Sequence, residues 1–421
     1  MEIKKLDKIK EKQIQIPTSK SYLNRALIIS SCCNGIVKLT NIVDVCDDSA
    51  LMIDVLRSIG VKIDIDLDKK EIIVHGNGGK FIRPKNGIIN TGIAGTVTRF
   101  ILGLSVLFDF DCEIVAEGKM LNRPIKDLVD AISDIGVKVK YLLQDGLLPV
   151  KILQKKEIKN HEIFIKSSKS SQFLTSLLMI SSMIGINSIK VENLVSESYI
   201  DITLNIMYAF NVDIKREKLD NNCYIFHIEN QKYFLNLNYK VDTDWSSASY
   251  FLALKYLIKN ELKIEELNEN SHQGDTKFVD IIEKFRNHED KNKKLILDMK
   301  NMPDTIMTAI VVAIFHDFQT EIFGAITLKD KESNRLEAMK SELEKINIKS
   351  EISDDWNSIL IHGNSKLEVK KMTEIETYYD HRIAMCFGIL GLKTGNIAIK
   401  NPSVVNKSFP SFWAILNDLY A

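Results

Sequence analysis

What most constrains this 421-residue chain is a recurring segment in which an amphipathic helical pattern stops at a Gly or Asn and passes into a short alternating strand. Leu51, Met52, Val55, Leu56 and Ile59 follow helical spacing, Gly60 suits a left-handed stop, and Val61, Ile63 and Ile65 alternate as a strand. The segment returns as Leu128, Ile132 and Ile135 before Gly136 and VKVKY, and as Ile202, Ile206 and Phe210 before Asn211 and VDIK. These stops lie 76 and 75 residues apart, too far for a solenoid repeat but suited to a βαβ-type unit. Thr276 to Phe285 supplies a fourth helix, Leu336 to Ile346 before Asn347 and IKSEI a fifth, and Phe412 to Leu419 a truncated sixth. Six units predict an α/β chain of two domains with three units each, and the length exceeds what one hydrophobic core usually supports. Periodicity alone does not separate this from any other α/β protein. No Pro/Gly-rich or low-complexity linker marks the junction, so short structured connections are expected.

An apolar content of 45% argues against disorder, and Lys+Arg and Asp+Glu both number 56. That balance argues against a nucleic-acid binder or a membrane-surface protein working through a global basic field, so any anion site must be a local concentration of charge. No segment reaches the roughly 20 apolar residues of a membrane span, and MEIKKLDKIKEKQIQIP lacks the apolar stretch of a secretory signal. A free-standing cytoplasmic chain is expected. Cys32, Cys33, Cys46, Cys112, Cys223 and Cys386 show no CxxC spacing and read as reduced thiols. With no HExxH pair and no GxxxxGK[ST] loop, neither a metal nor a nucleotide cofactor is expected.

Arginine is scarce: only nine of the 56 basic residues are Arg. Its rigid fork recognises phosphate and carboxylate bidentately, so the positions that keep it carry a functional expectation. Random retention predicts no clustering, yet Arg25, Arg99, Arg123, Arg335 and Arg382 fall in unusual local sequences, mostly near predicted helix starts. A cation there is disfavoured without an anion. PTSKSYLNRALIIS sets Lys20, Ser21 and Arg25 at the start of an apolar helix, an anion site by composition, although a serine there is ordinarily a cap. In NTGIAGTVTRF, Gly92, Gly95 and Thr96 let backbone approach a ligand ahead of Arg99. GKMLNRPIKDL predicts Arg123 in the first turn of a helix. SSKSSQFLTSLLM gathers Ser167, Ser168, Ser170, Ser171 and Gln172 at a helix entrance, more hydroxyls than capping requires. NMPDTIMT puts Asp304 at a helix start, LKDKESNRLEAM places Lys331, Glu332 and Arg335 within one turn, and YYDHRIAM places Asp380, His381 and Arg382 ahead of an apolar helix.

In order, these strings resemble the 5-enolpyruvylshikimate-3-phosphate synthase family, and the likeness runs nearly end to end, also through LVSESYIDITL, VDTDWSSASYFLA, QGDTKFVDIIEK and NKSFP. The resemblance implies a two-domain inside-out α/β barrel, each domain of three βαβαββ-type units with the active site in the interdomain cleft. Its domains would be residues 1–18 plus 239–421, and 19–238. It implies a monomer that uses shikimate 3-phosphate and phosphoenolpyruvate without metal or organic cofactor. Carried over, Lys20, Ser21, Arg25, Ser170, Ser171, Ser196, Asp304 and Lys331 are expected to contact shikimate 3-phosphate. Lys20, Gly95, Arg123, Gln172, Arg335, Arg382 and Lys407 are expected to contact phosphoenolpyruvate. Asp304, Glu332 and Lys20 are the expected catalytic residues: Asp304 as base toward the 5-hydroxyl, Glu332 as acid toward the enol carbon, Lys20 assisting. Ile93 stands where many members carry a small polar residue, and Thr327 where an Asn is frequent. Retention of Gly95 implies inhibition by glyphosate.

The nearest rival is the related enolpyruvyl transferase acting on UDP-N-acetylglucosamine, whose loop carries a reactive Cys where this chain has Gly118. A non-catalytic α/β scaffold would explain the periodicity but not the arginines.

Overall fold

The computed structural model describes residues 1–6, 12–153, 157–220, 222–229, 231–234, 236–259, 262–265 and 267–420. Contacts divide the chain into an inserted unit, Thr18–Asp242, and a discontinuous unit, Met1–Pro17 with Thr243–Ala421. The strand Leu237–Lys240 pairs in parallel with Ile36–Thr40, which makes it part of the inserted unit. The division therefore falls at Asp242, later than the 238 expected.

The inserted unit holds six helices: α1 (Lys20–Cys32), α2 (Asp47–Ser58), α3 (Gly95–Leu104), α4 (Lys126–Ile135), α5 (Gln172–Ser181) and α6 (Ser198–Ala209). Its three four-stranded sheets share one order. In one, Ile88–Asn90 runs parallel to Cys112–Val115, followed by antiparallel Val150–Leu153 and Lys138–Tyr141. Glu162–Lys166, Ser188–Glu192, Cys223–Ile228 and Ile214–Asp220 repeat it. Leu237–Lys240 takes the first place in the third sheet, beside Ile36–Thr40, Glu71–His75 and Lys62–Asp66. Each sheet with its two helices is thus a βαβαββ unit, and one is completed by a strand from the far end of the segment.

Two helix types follow from composition. In α1 every residue from Tyr22 to Cys32 is buried, in α5 every residue from Phe173 to Ser181, and in α3 all but Thr96. A helix apolar on all sides must be surrounded by protein, and these three pack on one another. The other three bury one face; α4, for example, buries Leu128, Val129, Ala131, Ile132 and Ile135. The strands bury alternate residues, as in Glu162–Lys166, so the sheets lie outside the helices with one wet face.

The discontinuous unit repeats the division of labour. Its helices are α7 (Trp245–Ile258), α8 (Phe278–Arg286), α9 (Ile306–Ile314), α10 (Arg335–Lys345), α11 (His381–Thr394) and α12 (Phe412–Asp418). All of α9 and residues His381–Leu392 of α11 are buried, and these helices pack with α7. Leu295–Asp298, Gln319–Phe323, Ser358–His362 and Ser350–Ile352 form a full four-stranded sheet, joined by a three-stranded sheet and a two-stranded pair. The predicted stops are left-handed: φ is 93° at Gly60, 115° at Gly136, 69° at Asn211 and 61° at Asn347.

Candidate active site

In the inserted unit the sequence motifs sit at helix starts that meet. Lys20, the first residue of α1, pairs with Asp48 of the first turn of α2 at 3.0 Å. Arg25 lies one turn further in and is 2% exposed. Its Nε donates to Thr203 Oγ1 of α6 at 2.8 Å, Nη1 to the Ser21 carbonyl at 2.8 Å, and Nη2 to the Tyr199 carbonyl at 3.2 Å, with Phe100 under its plane. Among the described residues no carboxylate pairs with it, and burial draws its pKa down to about 10. A buried guanidinium held only by neutral oxygens favours an anion nearby.

Gln172 opens α5 and ties it to α3: Arg99 Nη1 donates to its Oε1 at 2.7 Å, and its Nε2 donates to Thr96 Oγ1 at 3.1 Å. Ser170 Oγ accepts from the Gln172 backbone at 3.2 Å, and Ser171 is buried at the N-cap. Ser196, before α6, adopts a left-handed φ of 53°, unusual for a non-glycine residue. Gly95 begins α3 against the Arg123 guanidinium; a Cβ there would stand 2.5 Å from Arg123 Nη1. Arg123 is not in the first turn of a helix as predicted. It ends the 3-10 turn Gly118–Asn122, and Pro124 and Ile125 separate it from α4. Its Nε is buried without a hydrogen-bond acceptor among the described residues.

In the discontinuous unit Asp304, Lys331, Glu332, Arg335, Arg382 and Lys407 form one ion-pair network. Arg335 is 1% exposed, and its Nε, Nη1 and Nη2 donate to Asp380, Asp304 and Glu332, each at 2.9 Å. Burial opposes its charge, but the three carboxylates overcome that and hold the guanidinium above its usual range. Arg382 Nη2 meets Asp304 Oδ2 at 2.9 Å, Lys331 Nζ lies 3.6 Å from Asp304 Oδ1, and Lys407 Nζ lies 3.6 Å from Glu332 Oε1. Asp304 stands in the 3-10 turn Pro303–Thr305 that enters α9, while Asp380 caps α11 by accepting from the Arg382 amide at 3.0 Å. Lys331 and Glu332 lie in the loop ahead of α10; Asn334 is the cap, so Arg335 is the first helical residue.

Sequence reasoning left several of these partners without a role. Asp48 is one of two acids in the first turn of α2, and Asp380 stands in YYDHRIAM with no role of its own. Asp275 sits in QGDTK, is buried, accepts from Ser246 Oγ at 2.5 Å, and has its pKa pushed up to about 7 by burial and then by Asp304. Thr327 Oγ1 is buried without a hydrogen-bond partner among the described residues, and Ile93 is exposed.

A sequence model of the family described as EPSP synthase (3-phosphoshikimate 1-carboxyvinyltransferase) matches residues 4–416. The chain belongs to the EPSP synthase family. The 3-phosphoshikimate 1-carboxyvinyltransferase of Buchnera aphidicola subsp. Schizaphis graminum is 37% identical over 420 residues, covering 95% of this chain and 94% of that one. The enzyme of the same name from Sulfurovum sp. is 34% identical, covering 97% and 96%. The fold is that of the EPSP synthase structure from Acinetobacter baumannii, with a TM-score of 0.79 at 22% identity over 99% of this chain and 97% of that one. The enolpyruvyl transferase NikO from Streptomyces tendae shares the fold at a TM-score of 0.74 and 11% identity, covering 99% and 96%. Cys112, the thiol nearest in sequence to Gly118, is buried in a strand, and burial pushes its pKa up to about 12. Such a thiol is not the exposed, activated cysteine of the rival transferase.

Proposed function

We propose that the protein transfers the enolpyruvyl group of phosphoenolpyruvate to the 5-hydroxyl of shikimate 3-phosphate and releases phosphate, on the route to chorismate and the aromatic amino acids. The observation that carries this is the network in which two carboxylates, Asp304 and Glu332, are held among Lys331, Arg335, Arg382 and Lys407. Addition to the double bond of an enol phosphate, followed by elimination of phosphate, needs proton transfer to and from carbon and oxygen beside a dense patch of positive charge. Asp304 takes the 5-hydroxyl proton as that oxygen attacks C2, and Glu332 delivers a proton to C3. The resulting tetrahedral adduct loses a C3 proton and expels phosphate in the reverse sense. This chemistry calls for no metal or organic cofactor.

In this reading Lys20, Ser21, Arg25, Ser170, Ser171, Ser196, Asp304 and Lys331 hold shikimate 3-phosphate. Lys20, Gly95, Arg123, Gln172, Arg335, Arg382 and Lys407 hold phosphoenolpyruvate, with Lys20 assisting the chemistry. The same reading takes the protein as a cytoplasmic monomer that is inhibited by glyphosate competing with phosphoenolpyruvate. A phosphate-release assay with shikimate 3-phosphate and with UDP-N-acetylglucosamine tests the acceptor: release is expected with the first alone. Turnover near the wild-type rate in folded Asp304→Ala or Glu332→Gln would remove the assigned proton roles.

A further inference from the structure

Four helices of the discontinuous unit, α7, α8, α9 and α11, end beside a cavity of about 870 Å³. It is lined by Leu257 and Lys259 at the end of α7, Arg286 at the end of α8, Phe315 and His316 after α9, and Lys393 in the last turn of α11. A second recess of about 520 Å³ shares Phe315, Ser365 and Lys393 with it and adds Lys5. The ion-pair network lies at the opposite ends of the same helices, where Asp304 enters α9 and Arg382 opens α11. At 1.5 Å per residue, the 14 residues of α11 put about 20 Å between the two places.

Cations outnumber acids around the two recesses. Lys5, Lys255, Lys259, Arg286, Lys366 and Lys393 line them, against Glu283 and Glu368. Glu283 is already paired with Arg286, and Asp317, next to His316, is held by Lys291 and by the Ser365 amide. With Glu368 set against Lys366, the lysines Lys5, Lys255, Lys259 and Lys393 remain, and no carboxylate pairs with any of them among the described residues. A helix carboxyl end carries about half a negative charge, so the four ends offset about two of these lysines. The rest have no counter-charge, in a chain whose basic and acidic residues balance at 56 each. Lys393 registers the crowding: it is half-buried, donates to the Leu257 carbonyl at 2.8 Å, and is drawn below the usual lysine range by burial and then by Lys5 and Lys259.

The floor of the cavity is apolar, supplied by Leu252, Tyr256, Ile282 and Phe315, with Val279 of α8 left 42% exposed. His316 is stacked on Tyr256 and Phe285, with ring centroids at 5.9 and 5.1 Å, and burial draws its pKa down to about 4. Its imidazole is therefore neutral at physiological pH and extends this surface. Phe315 has no ring contact with another aromatic residue among the described residues, and it lines both recesses together with Lys393. An inorganic phosphate or sulfate would satisfy the lysines and leave the floor wet; a flat apolar body that ends in an anion satisfies both. We propose that this cavity is a binding site for an aromatic carboxylate, its ring against Phe315 and Val279 and its carboxylate held by Lys259 and Lys393. The site does not depend on the reaction assigned above, and neither proposed substrate should compete for it.

Calorimetric titration of the intact protein with 2-naphthoate tests this, with 2-naphthamide as the ring without the charge and acetate as the charge without the ring. The Kd for 2-naphthoate is expected to be roughly tenfold or more below that of either control. It should be unchanged when phosphoenolpyruvate or shikimate 3-phosphate is present, each added alone so that no turnover occurs. Lys393→Met, Lys259→Gln and Phe315→Leu should each weaken 2-naphthoate by about threefold to tenfold. Lys259 is exposed, so Lys259→Gln reports on the carboxylate contact even if Lys393→Met fails to fold. Equal binding of 2-naphthoate and 2-naphthamide, its displacement by either substrate, an unchanged Kd in folded Lys259→Gln or Phe315→Leu, or no binding at millimolar concentration overturns the site.

Discussion

Four of the nine arginines, Arg25, Arg99, Arg335 and Arg382, are buried, and all four lie in the motifs that their scarcity singled out. Arg57, Arg83, Arg216 and Arg286 are exposed, so arginine is kept inside where a fork must be held, and placed outside without such a pattern. Replacing Arg335 with Lys removes the fork that serves Asp380, Asp304 and Glu332 at once, and breaking a buried pair costs about 3–5 kcal/mol; chemical denaturation should register a loss of up to that order. Gly95→Ala should displace Arg123, because the new methyl lies 2.5 Å from Nη1. The expected result is a KM for phosphoenolpyruvate raised about tenfold or more, a loss of ~1.4 kcal/mol, with the KM for shikimate 3-phosphate little changed. Asp275 carries a pH signature. Its folded pKa, about 7, stands above the ordinary carboxyl value, so the folded state binds the extra proton, and the stability it contributes is full below about pH 4 and lost as pH rises through about 7. Denaturation midpoints of Asp275→Asn measured from pH 4 to 8 should lack that decline. Sequence alone could not mark Asp275, because nothing local distinguishes an acid buried against Ser246 from one in water.

Helices were legible in proportion to how asymmetrically they are buried. Those with one wet face, such as α2, α4 and α10, repeat apolar residues at helical spacing and end on Gly or Asn, and they supplied the predicted repeat. The apolar helices α1, α3, α5, α9 and α11 have almost no wet face and hence no amphipathic period, yet their entrances carry five of the seven motifs. At Arg123, where the structure departs from the expectation, a 3-10 turn occupies the residues just before a helix, a difference that local spacing does not encode. One anchoring contact was invisible for the same reason. Glu342 of α10 is fully buried and accepts from the Tyr378 hydroxyl at 2.7 Å and the Glu376 amide at 3.0 Å. It thereby braces a turn in which Tyr378 and Tyr379 take φ of 54° and 59°, strained for bulky residues, just before Asp380 and Arg382. Glu342→Ala should lower kcat at least tenfold although the residue lies outside the ion-pair network, and cost about 2–3 kcal/mol in thermal or chemical denaturation. A kcat unchanged in the folded variant would remove Glu342 from this positioning role.

At the scale of the chain, two hydrophobic cores, one in each unit, account for the predicted division into two domains better than any linker could. No helix among the described residues is long and apolar enough to cross a membrane. The inserted unit draws all its strands from residues 36–240, so a fragment spanning 18–242 should fold cooperatively by itself, whereas 243–421 without the first seventeen residues should not reach native-like stability; hydrogen exchange on each fragment checks this. The cause is the pairing of Lys12–Ile14 with Leu262–Ile264 and of Glu2–Ile3 with Ile397–Ile399. On the ribosome that pairing imposes an order of events. The strands Glu2–Ile3 and Lys12–Ile14 have no partners until most of the polypeptide has been made, so the inserted unit can be finished while they still wait for theirs.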